Sequence, residues 1–139
     1  MNEVRIGVVG YCPPTRFDEE EAARLIVTAF DVVANYYAGR SIVIVSGLTN
    51  VGVLALAYAE AVKRGWRTVG ITSARALEHP LFPVDEKHIV GENWGDESPT
   101  FVANIDALVR IGGGKQSHAE ARIVASSGRP VFLYELEAL

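Results

Sequence analysis

The chain has one cysteine, Cys12, in 139 residues, so it closes no internal disulfide. That agrees with a cytoplasmic location, the compartment expected here. No apolar run is both long enough and free enough of polar residues to cross a bilayer. A basic stripe is missing too: 13 Lys and Arg stand against 17 Asp and Glu, a formal net charge of -4. Phosphate neutralisation supplies most non-specific affinity for nucleic acid, so that class of partner is disfavoured. Met1-Asn2-Glu3 leads straight into a strand-like run without a signal-peptide core, and no leader is expected. His79, His88 and His118 share no metal-ligand spacing with one another or with Cys12 and read as surface or helix-start residues, so no metal is expected, and no resident cofactor either. There is no GxGxxG after the first strand, no GxxxxGK[ST] and no GxSxG elbow. Nicotinamide cofactors, a P-loop and serine-hydrolase chemistry therefore find no support.

What remains is an apolar chain, 49% hydrophobic, of a size that buries one continuous core as a single domain, 1–139. Its organising stretch is Ile42 to Trp66. A β-branched run, Ile42 to Val45, breaks at Ser46-Gly47 and passes Thr49-Asn50. Apolar residues then recur at helical spacing: Val51, Leu54, Ala55, Tyr58, Ala59 and Val62. Gly65 is a C-cap candidate, and Arg67 to Thr72 reads as the next strand. This is a βαβ unit. Its turn directs the unpaired N–H groups of a helix start beyond the carboxyl end of a strand, where an anion is favoured. Val53, Leu56 and Ala57 widen the apolar face of this helix. Burial against a partner subunit or a central place in the fold explains that width, and the partner is the reading preferred.

Around that unit the pattern repeats. Val4 to Val9 is a first strand, followed by a proline-stiffened loop, Tyr11 to Arg16. Asp18 is an N-cap for a helix opening with Glu19, Glu20 and Glu21 and carrying Ala22, Ile26, Ala29, Phe30, Val33 and Tyr37 on one face. Later come a helical turn around Ala74 to Glu78, a weak strand at Lys87 to Val90, and a short helix opening at Ser98-Pro99. A strand at Ala107 to Ile111, a helix at Ser117 to Ser127 and a strand at Pro130 to Tyr134 complete the chain. Alternating strands and helices imply a doubly wound, mainly parallel sheet covered on both faces, an α/β fold of Rossmann-like type. Ligands then bind beyond the carboxyl ends of the strands, where the Gly47 turn and a second turn, Gly112-Gly113-Gly114, both fall.

Three successive glycines leave backbone bare of side chains for a ligand to approach. Glu120 follows in the first turn of the next helix. Its carboxylate either complements the helix dipole or faces the ligand, binding a ribose hydroxyl or stabilising a developing cation. Gln116 and Ser117 are site candidates as well, although Ser117 as N-cap and Gln116 as a solvated residue are the plainer readings. Asp96 and Glu97 could form a second acidic pair near the site, although acids preceding a helix start is the plainer reading. Trp94, between Gly91 and Gly95, offers a stacking surface for a base or an ordinary core position. Thr15 and Arg16 lie past the first strand, where a phosphate would sit, and Arg16 reads equally as an exposed side chain.

Two of these segments look familiar together. Ser46-Gly47-Leu48-Thr49-Asn50-Val51-Gly52, with Ala57 and the helix end Lys63-Arg64-Gly65-Trp66, resembles the first motif of the SLOG superfamily. Asp106-Ala107-Leu108 through Ile111-Gly112-Gly113-Gly114, then Gln116-Ser117 and Glu120, resembles the second. The superfamily includes the LOG phosphoribohydrolases (often mislabelled lysine decarboxylases), molybdenum cofactor carrier proteins and DprA-like DNA-processing proteins. The resemblance implies a Rossmann-like sheet that grips a nucleotide or nucleotide-derived small molecule across the two turns, in a homodimer or higher homo-oligomer. Ser46, Gly47, Thr49, Asn50 and Gly52 carry over from the first motif. Gly112, Gly113, Gly114, Lys115, Gln116, Ser117 and Glu120 carry over from the second. In the LOG enzymes the second motif reads PGGxGTxxE, and its Glu, with an upstream Arg, promotes cleavage between base and ribose 5′-phosphate. Here Ile111 replaces the proline, Lys115-Gln116 replaces Gly-Thr, Glu120 falls one position late, and Trp94-Gly95-Asp96-Glu97-Ser98 contains no matching arginine. The resemblance thus implies a nucleotide-binding sensor or carrier, with Lys115 or Arg16 aiding the helix ends at a phosphate. A phosphoribohydrolase in which Glu120 stabilises a ribosyl cation is the alternative.

Overall fold

The computed structural model describes residues 2–139. Six strands form one sheet: β1 (Glu3–Gly10), β2 (Ser41–Ser46), β3 (Arg67–Thr72), β4 (Glu86–Ile89), β5 (Ala107–Ile111) and β6 (Val131–Tyr134). Their spatial order is β4-β3-β2-β1-β5-β6, and every pairing is parallel. The chain winds outward from β1 through β2 and β3 to β4, then returns to the other edge of β1 as β5. This reversal beside β1 is a topological switch point, which opens a crevice beyond the strand ends.

Helices α1 (Glu19–Tyr36) and α2 (Gly52–Lys63) cover one face, over a core that includes Ile6, Val8, Ile44, Val109 and Ile111. Helices α3 (Ser98–Ala103) and α4 (Lys115–Ser126) lie toward the other core, among Val45, Val69, Ile71 and Leu108. Both faces of the central strands are buried, which is why their sequences run apolar instead of alternating. Asp18 caps α1 by accepting from the Glu21 amide at 3.1 Å. Among the described residues, no helix is long and apolar enough to cross a membrane.

Three local expectations shift. The buried face of α2 is Val53, Ala57, Tyr58 and Ala61, so the stripe is rotated from the one read in the sequence. Ala59 and Val62 are exposed. The helix packs on both α1 and the sheet, a central place that covers much of its broad apolar surface and leaves Val62 exposed. Helix α4 begins at Lys115 instead of Ser117, which puts Glu120 in its second turn. Ser98 is the first residue of α3, with Glu97 at the cap position, so its hydroxyl is free for another partner.

Tyr58 ties α2 to the strand ends it serves. Its hydroxyl lies 2.8 Å from the Val69 carbonyl and also meets the Gly47 carbonyl. The ring is fully buried and stacks on Phe82 at 5.0 Å. Tyr58→Phe keeps that packing and removes the one O–H that the buried Val69 carbonyl shares with that of Gly47. Urea unfolding should show a loss of about 1–3 kcal/mol.

Candidate functional site

A cleft of about 650 Å³ opens at the switch point, a volume typical of small-molecule sites. The loop after β1 forms one wall through Tyr11 to Thr15, and the turn after β2 adds Gly47 and Thr49. Opposite them stand Gly114 to Ser117 and Glu120 of α4. His79, Trp94 and Glu97 come from the connections between β3 and α3. Both glycine turns therefore reach one cleft, as the two motifs imply.

The triple glycine works differently from expectation. Gly112 (φ +58) and Gly113 (φ +101) occupy the left-handed region that side chains avoid. A Cβ on Gly112 would meet the Tyr11 ring at 2.5 Å, and one on Gly113 would meet Ser117 Cβ at 2.5 Å. These two glycines are required for close packing, and neither lines the cleft. Gly114 alone faces it, with open space where a Cβ would stand.

The two long helix starts at the cleft also differ. Helix α2 has no side-chain cap, but its Val53 amide donates to the Tyr11 carbonyl at 3.0 Å. Gly52 sits against the same carbonyl, where any Cβ would collide with it. A backbone oxygen thus already occupies that helix end. Helix α4 also lacks a side-chain cap, and its first paired amide is that of His118, donating to Gly114 at 3.1 Å. The amides of Lys115, Gln116 and Ser117 have no acceptor among the described residues. A helix start in this state carries positive potential and orphan donors, the combination that binds anions.

One and a half turns further along α4, Glu120 is buried at 4% exposure. Its Oε2 accepts from the Ser98 hydroxyl at 2.6 Å and lies 3.4 Å from Gln116 Nε2. The same Gln116 nitrogen donates to Glu97 Oε2 at 3.0 Å, while Glu97 Oε1 accepts from the Gly95 amide at 3.0 Å. Burial pushes the Glu120 carboxyl above its ordinary value. The Ser98 and Gln116 hydrogen bonds oppose that shift, and the nearby Glu97 charge adds to it. Its Oε1 has no partner among the described residues. Cys12 also lines the cleft, and burial raises its thiol, which therefore stays protonated at neutral pH and is a poor nucleophile.

Of the residues proposed from the sequence, Thr15, Gly47, Thr49, Trp94, Gly114, Lys115, Gln116, Ser117 and Glu120 line the cleft. Ser46 lines it too, but its hydroxyl donates to the Val8 carbonyl at 2.6 Å and serves the sheet. Arg16, Asn50, Gly52, Gly112 and Gly113 lie outside the lining: Asn50 is exposed, with its amide on Pro80. Lys115 is therefore the one lysine or arginine lining the cleft among the described residues. Glu97 stands at the cap position of α3, as an acid at a helix start, and also closes the Gln116–Glu120 cluster at the cleft. His79 is exposed, as a surface residue, and its ring also borders the cleft, 5.9 Å from Trp94. Asp96 keeps its plain role, accepting from the Glu92 and Asn93 amides in a turn.

No family model matches the chain, and no curated protein matches it. Solved structures do. The molybdenum cofactor binding protein of the phototrophic bacterium Rippkaea orientalis aligns at TM-score 0.74 and 22% identity, over 96% of this chain and 77% of that one. The molybdenum cofactor carrier protein of Chlamydomonas reinhardtii aligns at TM-score 0.71 and 20% identity, over 94% and 76%. The structural-genomics target TM1055 aligns at TM-score 0.71 and 22% identity, over 92% and 72%. The chain shares the fold of these proteins, which agrees with the SLOG resemblance of its two glycine motifs.

Within this fold the glycines should separate by role. Gly112→Ala and Gly113→Ala should each lose about 1–3 kcal/mol, from positive φ and the contacts above. Gly114→Ala should stay within about 0.5 kcal/mol of wild type, as read by thermal unfolding. Glu120 gives a pH signature. Its folded value is raised, so its contribution is fully favourable below the unfolded value of about 4.3 and is lost as pH rises through the folded value. Glu120→Gln should therefore stabilise the protein at pH 7, and that advantage should vanish near pH 4 in paired urea titrations.

Proposed function

We propose that the cleft binds a phosphorylated small molecule of nucleotide type, in a carrier or sensor role. The phosphate sits on the amides at the start of α4, beside Lys115. Trp94 supplies a face for a planar ring, and Glu120 Oε1 accepts from a hydroxyl or N–H group of the ligand. The observation that carries this reading is the open N-terminus of α4, facing a cleft that also holds an aromatic ring and a half-free carboxylate. The fold shared with proteins named as molybdenum cofactor carriers supports a carrier role. A homodimer belongs to the same proposal, with the exposed Val62 on α2 as its apolar contact.

A second reading, cleavage of a base–ribose bond, is favoured by one feature: a buried carboxylate beside the anion cradle. Breaking that bond develops positive charge on the ribose, which Glu120 would stabilise while water attacks. The phosphate must also be held firmly for turnover, and among the described residues no guanidinium lines the cleft to do so. Binding without turnover is therefore the principal reading.

Calorimetry with a panel of nucleoside 5′-monophosphates and the matching nucleosides tests it, followed by chromatography of the mixtures. Monophosphates should bind at least about tenfold more tightly than nucleosides, the scale of one charge-assisted phosphate contact, and no free base should form. Equal affinities would remove the phosphate from α4. Free base that disappears in Glu120→Ala would establish the hydrolase instead.

A further inference from the structure

Side chains of β5 alternate between the two faces of the sheet. Ala107, Val109 and Ile111 enter the α1–α2 core, and Leu108 enters the other. Arg110 falls with Leu108 by this alternation. It is a cation at 4% exposure, in a position where an aliphatic side chain would pack. Buried charge is unfavourable unless it is paired and hydrogen-bonded. The partners of Arg110 gather at the second glycine turn. Its Nη1 donates to the Gly112 carbonyl at 2.7 Å and lies 3.4 Å from His118 Nε2. Its Nη2 donates to Glu135 Oε2 at 2.8 Å. The Gly112 amide is fixed as well, donating to the Tyr134 carbonyl at 2.8 Å.

A planar peptide sends its C=O and N–H in opposite directions. With the Gly112 carbonyl held on Arg110, that oxygen cannot swing among the first-turn amides of α4 and repel an anion there. The charges are unequally screened. The Glu135 side chain is 80% exposed, whereas that of Arg110 is 4% exposed. Water damps the field of the carboxylate more than that of the buried guanidinium.

We propose that Arg110 is a positioning residue for the anion cradle. It fixes the Gly112–Gly113 turn through the Gly112 carbonyl and adds positive potential behind the start of α4, with Glu135 as its solvent-side counter-charge. The inference rests on the phosphate-binding reading above.

The test is an NMR titration of the whole chain with inorganic phosphate. In wild type, amide shifts should cluster at Gly114 to Ser117; their absence would remove both the phosphate reading and this role. Glu135→Gln leaves the cleft lining intact and unmasks Arg110. It should tighten phosphate binding roughly two- to threefold at low salt, with the gain lost near 1 M salt. A residue that merely supports the fold would not produce that gain. Arg110→Lys keeps the charge and loses the planar fork. Without ligand, exchange of the Gly112 amide, held on the Tyr134 carbonyl in wild type, should then quicken about tenfold. If wild type binds phosphate at α4 but Glu135→Gln fails to tighten it, or exchange in Arg110→Lys is unchanged, the role of Arg110 is wrong and the phosphate reading stands.

Discussion

The Tyr11 carbonyl divides the carboxyl edge of the sheet into one closed helix end and one open one. By accepting from the Val53 amide, it places a partial negative charge on the start of α2. An anion arriving at that end meets an oxygen already in position. The start of α4 has no such occupant, so the two glycine motifs contribute unequally although they share a cleft. The first turn shapes a wall, and the second presents donors. Tyr11 also lays its ring against Gly112, so one residue closes α2 and packs the turn that opens α4.

The ligand side of the cleft follows from the same asymmetry. Positive potential concentrates at the first turn of α4, while the carboxylates belong to Glu120, one and a half turns along it, and to Glu97, at the cap of α3. A guest with an anionic end and a hydrogen-bond-donating body fits that polarity; a uniformly anionic guest meets the carboxylates. Gln116 bridges the two regions, since its backbone amide is one of the orphan donors and its side chain joins the two carboxylates.

Much of the fold was legible because buried parallel strands and amphipathic helices leave strong patterns. The runs Ile42 to Val45 and Ala107 to Ile111, and the cap at Asp18, all stand close to where they were read. The misreadings are those that periodicity cannot resolve. On α2, small and large apolar residues surround the helix, so the side facing the sheet depends on tertiary packing and not on spacing. At α4, Ser117 looked like the cap because serine favours that position. The extended backbone of Gly114 let the helix start two residues sooner. His79 and Glu97 lie outside the glycine motifs: the pairing of Thr49 with Leu81 beside the turn after β2 brings His79 to the cleft, and the contact of Glu97 with Gln116 brings the start of α3 to α4. The reverse error occurred at Gly112 and Gly113, where the same residue type serves bare backbone and tight packing alike. Arg110 offered one overlooked signal, a cation interrupting an otherwise aliphatic strand.

A crystal structure of the protein soaked with a nucleoside 5′-monophosphate tests the central claim most directly. The account predicts phosphate density within hydrogen-bonding distance of the Lys115, Gln116 and Ser117 amides, with the Tyr11–Val53 hydrogen bond intact. Phosphate seated on the start of α2 with Tyr11 displaced, or ligand density away from this cleft, would contradict it.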